Sequence, residues 1–299
     1  MPDVYVMQGG DPAQMAYDAI SRVFTEEAAG LRILLKVNTG FKGPAASGLC
    51  THPEVVRGLI RFFKERQVGE LLVGDSSIVG VNSLEALRSA GIYQVCEEEG
   101  VACVDLDESD MEEREIPGGV MVQRLKMSRL PFQVDRLISV PVIKTHMYAG
   151  VTLSIKNMKG CLYQKDKTRL HRINQAPPDI HKGKCLDYGI MELARVCYPD
   201  YVVTDGIVCM EGFGPSGGTP VNLGVVLASK DALSADLTAI RLMGMEYDAV
   251  PHLNLVREDT RTLIFYEAPH KLVTTLEDML GVLGDRELVI YRALTTLHE

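Results

Sequence analysis

The 299-residue chain lacks four features that would each have placed it in a broad class. It has no basic excess: 40 acidic against 31 basic side chains give a formal net charge of -9, which offers no electrostatic footprint for nucleic acid or for an anionic membrane surface. It has no apolar run approaching the roughly 18 to 20 residues of a membrane span. Met1-Pro2-Asp3 opens without the basic-then-apolar order of a signal peptide, so a cytoplasmic protein is expected. It also has no C-x-x-C pair. The seven cysteines, Cys50, Cys96, Cys103, Cys161, Cys185, Cys197 and Cys209, are odd in number and widely spaced, and they read as reduced thiols that behave as small buried hydrophobes. Neither local zinc ligation nor an intrinsic iron–sulfur cluster fits that spacing.

What is present suffices for a large core, since 46% of the chain is hydrophobic and 24% charged. Short apolar runs alternate with amphipathic stretches. Strands are expected at 32–37, 70–73, 101–106, 135–142, 201–204 and 223–228, with further runs at 263–265 and 288–291. Helical patterns begin near Thr51, with Pro53 in the first turn, and recur at 83–90, 185–198 and 232–243. The alternation predicts an α/β fold: a twisted, mostly parallel or mixed sheet flanked by helices, as one unit over 1–299, with two lobes about a cleft as one form it can take. The polar stretch 163–184, with Pro177-Pro178, reads as a long excursion or lid.

In open α/β sheets ligands collect beyond the carboxyl ends of the strands. Those ends here carry Lys36 and Asn38, Asp75 and Ser76, Lys144 and His146, and Asp205 with Glu211, while Lys156, Asn157 and Lys159 follow in the next segment. Lysines suit a carboxylate or phosphate, and a partly buried one can titrate low enough to act as a base. We take His146, Asp75 and Lys144 as candidates for proton transfer, and Lys36, Asn38, Ser76, Lys156, Asn157, Gly212 and Gly214 as candidates for holding a small anionic ligand. Asp205 and Glu211 are candidate oxygen ligands for a divalent cation. Each residue has a structural competitor: snorkelling for the lysines, a surface hydrogen bond for His146, a helix cap for Asp75 and a turn for Asp205.

Gly212-Phe213-Gly214-Pro215-Ser216-Gly217 matches G-x-G-x-x-G by letter, but it leads into a β-rich run, and Pro215 and Pro220 oppose a following helix. A glycine-rich turn able to nest an anion is the surviving functional reading, with a tight strand connection as its competitor. His171 and His181, flanked by Cys161 and Cys185, lack the spacing of a zinc hook.

Several ordered motifs carry a resemblance: KVNTG from residue 36, VGDSS at 73–77, VPVIKTH at 140–146, SIKNMKG at 154–160, DGIVCMEGFGPSGG at 205–218 and ASKDALSADLTAIRLMG at 228–244. Over residues 32–257 the chain resembles the DUF362 family. That family has no established activity and is often described as an uncharacterised iron–sulfur-centre protein, which implies a redox role for members bearing a ferredoxin-like cysteine-rich segment. This chain departs from that pattern, which leaves a separate ferredoxin as the implied partner. The family motifs fall on Lys36, Asn38, Asp75, Lys144, His146, Lys156, Asn157, Asp205, Glu211 and Gly214. Three functions remain open: an enzyme acting on a small carboxylated or phosphorylated metabolite, an iron–sulfur-related electron-transfer protein, and a noncatalytic anion sensor. A homodimer is compatible with each.

Overall fold

The run Arg32–Val37 (β2) is apolar on both faces, the pattern of a strand covered on two sides. Ile33, Leu35 and Val37 enter one core, with α1 (Pro12–Val23), α2 (Pro53–Glu65) and α4 (Ile92–Glu99). Leu34 enters the other, against α7 (Cys185–Ala194), α8 (Ala232–Leu242) and α9 (Pro251–Glu258). The alternation of side chains along a strand therefore puts Lys36 on the same face as Leu34. The computed structural model describes residues 2–259, which form one compact unit. The expected runs at 263–265 and 288–291 lie outside the described residues.

The main sheet runs β1 (Val4–Gln8), β11 (Thr219–Ser229), β10 (Tyr201–Glu211), β7 (Arg136–Val140), β2, β3 (Glu70–Asp75) and β4 (Ala102–Asp105). From β10 to β4 the neighbours are parallel, while β11 lies antiparallel to β10 and to β1. A mostly parallel, mixed α/β sheet with helices on both faces is thus the fold. β5 (Met111–Glu115) and β6 (Arg124–Ser128) make a separate antiparallel pair. Neither this pair nor β1 and α1 was among the expected elements.

Helix α2 begins at Pro53, as its sequence predicts, with the Nδ1 of His52 accepting from Glu54 N at 3.2 Å. α3 (Ser83–Ser89) also agrees with its pattern. Helix α7 stops at Ala194, four residues short of the expected end.

The strand expected at 135–142 is in fact two. β7 ends at Val140, and after Pro141 the chain continues as β8 (Val142–His146), which pairs with β10 and with β9 (Gly150–Thr152) but not with β2. The sheet forks at this point. Lys144 and His146 therefore sit within a strand rather than just past one. Into the fork fits the four-residue helix α5 (Ser154–Asn157), and side chains supply the hydrogen bonds a neighbouring strand would have made. Asn157 Nδ2 donates to Lys36 O at 3.0 Å and to Ser139 Oγ at 3.1 Å. Thr51 Oγ1 accepts from Asn38 N at 2.9 Å and donates to Val140 O at 2.7 Å.

Candidate functional site

Buried Lys36 extends from the end of β2 and has three acceptors: Asp75 Oδ1 at 2.6 Å, Asn157 Oδ1 at 2.8 Å and Val37 O at 2.9 Å. These satisfy all three protons of its ammonium group. Asp75, at the end of β3, accepts in addition from Ser76 N at 2.7 Å, Thr39 N at 2.6 Å and Thr39 Oγ1 at 3.2 Å. The pair is thus a fully bonded unit, and Asp75 is occupied as an acceptor. Gly160 packs directly over it: a Cβ there would stand 2.4 Å from Asp75 Oδ1 and 2.5 Å from Lys36 Nζ. Only a residue without a side chain allows that approach.

Around this pair lie three more lysines. Lys144 is buried, donates to Leu49 O at 2.7 Å, and is lowered to about 8 chiefly by burial. Lys156 is buried too. Its contact is Thr152 Oγ1 at 3.3 Å, and burial followed by the charges of Lys159, Lys144 and Lys36 holds it well below the usual lysine range. Half-buried Lys159 lies 2.7 Å from His171 Nε2 and is lowered by burial to about 8. His171 falls to about 4 through burial and then the charges of Lys159 and Lys156, so near neutral pH it accepts from the Lys159 ammonium. His171 also meets the ring of Tyr148 edge-on at 6.2 Å between centroids.

His146 has a defined tautomer. Its Nδ1 accepts from Tyr148 N at 3.1 Å and Ala149 N at 3.2 Å, so in the neutral ring the proton resides on Nε2. Burial, then Lys156, Lys159, His171 and Lys144, push it down to about 2. At physiological pH it is a neutral N–H donor whose other ring nitrogen is already occupied as an acceptor. Two further buried atoms, Asn38 Oδ1 and Ser76 Oγ, have no partner, although Asn38 Nδ2 donates to Asn157 Oδ1 at 3.1 Å. Buried polar groups are rarely left so unless something else fills their valence.

The short α5 is fixed from behind by Asp236 of α8. Its carboxylate accepts from Ser154 N at 2.8 Å, Ile155 N at 3.0 Å and the Ser154 hydroxyl. Burial raises it to about 7. Neither Asp236 nor Gly160 stood out among the candidate residues, although both lie inside the quoted motifs.

The structure thus brings together Lys36, Asn38, Asp75, Ser76, Lys144, His146, Lys156 and Asn157, and adds Lys159 and His171. Asp205 and Glu211 are not drawn into one centre. The first is buried and accepts from His52 N at 2.7 Å and Ile207 N at 2.9 Å, with burial raising it to about 7; the second is exposed at the far end of β10. Six positions of strand hold them on the order of 20 Å apart. Among the described residues no cluster of three or more His, Cys, Asp or Glu side chains is arranged to hold a metal ion. Gly212 and Gly214 lie in the connection between antiparallel β10 and β11, where Gly214 N bonds Gly212 O at 2.8 Å. Their carbonyl oxygens brace β8: Thr145 Oγ1 donates to Gly212 O at 2.9 Å and Met147 N to Gly214 O at 3.0 Å.

Residues 33–241 match a family model described as a domain of unknown function, DUF362. The thylakoid-associated protein sll1697 of Synechocystis sp. is 28% identical over 223 residues, covering 74% of this chain and 66% of that protein, so the chain spans just under two thirds of that relative. Over 47 residues, 16% of this chain and 21% of the other, it is 40% identical to ribosomal RNA small subunit methyltransferase I of Thermotoga maritima. Among solved structures, the lactate racemase apoprotein of Thermoanaerobacterium thermosaccharolyticum aligns at 14% identity and a TM-score of 0.49, covering 79% of this chain and 56% of that one. No described helix is long and apolar enough to cross a membrane.

Proposed function

We propose, from the premise that this chain belongs to the DUF362 family, that it binds a small carboxylated or phosphorylated molecule where the sheet forks and acts on it as an enzyme. The observation that carries the reading is an imbalance of charge. Lys36, Lys144, Lys156 and Lys159 share one electrostatic neighbourhood, and the carboxylate bonded within it, Asp75, is already paired with Lys36. An uncompensated buried ammonium costs several kcal/mol, and one anion would offset that cost for several lysines at once. The Ser76 hydroxyl and the Nε2–H of His146 are further donors to anion oxygens. Asn38 Oδ1 asks for a donor, such as a hydroxyl of the ligand.

The Lys159–His171 contact ties the 163–184 excursion to the cluster. That link also supports a second reading, a noncatalytic sensor whose excursion shifts when an anion displaces His171.

The test is thermal stabilisation and calorimetric titration with phosphate and small carboxylates, against chloride at matched ionic strength. Phosphate at a hundred times its Kd is expected to add about 2.7 kcal/mol of stability. Affinity for the carboxylates, whose own charge is constant above pH 5, should hold between pH 5 and 6.5, with no step from His146 or His171, because both stay neutral there. It should then decline from neutral pH upward, as Asp236 ionises at about 7 and Lys144 and Lys159 lose their protons at about 8. Lys144→Met should weaken phosphate at least about tenfold, the effect of losing one charge-assisted hydrogen bond. Absence of any anion-specific stabilisation would reject the site, and tight binding with no turnover of any small carboxylate or phosphate ester would favour the sensor.

A further inference from the structure

The four lysines are not equivalent. Lys36 is saturated by three acceptors and is held by a carboxylate at 2.6 Å. Lys144 has a main-chain carbonyl and Lys159 an imidazole nitrogen. Lys156 is buried like Lys36 and Lys144 but differs from all three in its partner, a contact with the hydroxyl of Thr152 at 3.3 Å. Its position one turn before Lys159 places two amines on one face of the same short segment, with the Lys144 and Lys36 charges also acting on it. Crowded cations around a desolvated amine with a weak partner are the arrangement that exposes a nitrogen lone pair.

We infer that Lys156 is a nucleophile that forms an imine with the carbonyl carbon of an oxo-carboxylate whose carboxylate is held by the neighbouring lysines. The inference rests on the anion-site reading above and narrows its substrate class. The lone pair of Lys156 Nζ adds to the carbonyl carbon, and a proton passes from nitrogen to the former carbonyl oxygen to give a carbinolamine. A second proton, from the Lys159 or Lys144 ammonium, lets that oxygen leave as water. The C–O bond breaks as the C=N bond forms, and no oxidant or reductant takes part. The surrounding positive charge retains the carboxylate, and the protonated imine withdraws electrons from the adjacent carbon, which is the chemical use of such an intermediate. The depressed proton affinity of Lys156 agrees with this role, since the free amine is the reacting form.

Reductive trapping tests it. The folded protein is incubated near pH 7.4 with glyoxylate and cyanoborohydride, which converts an imine into a stable carboxymethyl-lysine, and the label is mapped by peptide mass spectrometry. An ordinary exposed lysine holds about one part in a thousand of free amine at that pH. Lys156 should therefore be labelled more than about tenfold faster than exposed Lys42 or Lys182, and excess phosphate should suppress the label. Lys156→Arg, which replaces the nucleophilic amine with a guanidinium that forms no imine, should abolish that label in protein that circular dichroism shows to be folded. Labelling that is absent from Lys156, or no faster than at Lys42 and Lys182, overturns the inference. If phosphate still stabilises the protein in that case, the anion site stands and the imine alone fails; if it does not, both fail.

Discussion

At the scale of single residues, Gly160 sets the tightest constraint on the site. Its backbone lies where any Cβ would collide with both members of the Lys36–Asp75 pair. Gly160→Ala must push apart a buried, fully bonded ion pair or displace the turn that follows α5. It is expected to lower stability by about 1 to 3 kcal/mol, the range of overpacked interiors, and to weaken phosphate binding in parallel. Denaturant unfolding with a phosphate titration on the same sample checks this, and an alanine variant with unchanged midpoint and affinity would contradict the packing described. The lysines, Asn38, Ser76 and Asn157 were legible in the sequence because polar residues at the ends of apolar strands are conspicuous. Gly160 was not, since its requirement arises from a partner more than eighty positions away. The separation of Asp205 and Glu211 was illegible for the complementary reason: adjacency within one motif says nothing about a strand that carries one carboxylate into the core and the other to the surface.

At the scale of elements, α5 is the piece that cannot stand by itself. A four-residue helix is far below the length that sustains helicity in water, so tertiary contacts must hold it. Asp236 provides them at its N-terminal end, through Ser154 and Ile155. Asp236→Ala would leave both N–H groups buried without an acceptor, a loss of about 1 to 3 kcal/mol for each such group. Asp236→Asn, which keeps one acceptor oxygen, should be milder. Because Lys156 and Asn157 ride on α5, the alanine variant should also lose phosphate affinity under conditions where it remains folded by circular dichroism. Full affinity in a folded Asp236→Ala protein would show that α5 is positioned by something else. The break between β7 and β8 has one signal in the sequence, Pro141, which lacks the N–H a central strand needs, but the change of partner that follows it is written in no single run.

At the scale of the whole molecule, the mostly parallel or mixed sheet with helices on both faces was readable from alternating apolar runs, since a central strand such as β2 is apolar on both faces. The fork was not, because strand order is a property of pairing rather than of any segment. Protection from hydrogen exchange should follow that order: the amides of Leu34, Leu35 and Ile138, in strands covered on both faces and paired on both sides, are expected to exchange slowest, and those of the edge strands β1 and β4 much faster. Equal protection at the edges would argue against the pairing described.

The fork also governs how such a site can diversify by descent. Asn157 and Thr51 stand in for a missing strand, so a lineage that changes either loses the fold before it gains a new ligand. Lys159, His171 and Tyr148 carry no such duty, as their side chains meet one another rather than the backbone of the sheet. Innovation in what this architecture recognises is therefore expected to begin at that outer rim, with the inner lysine and its glycine cover inherited intact.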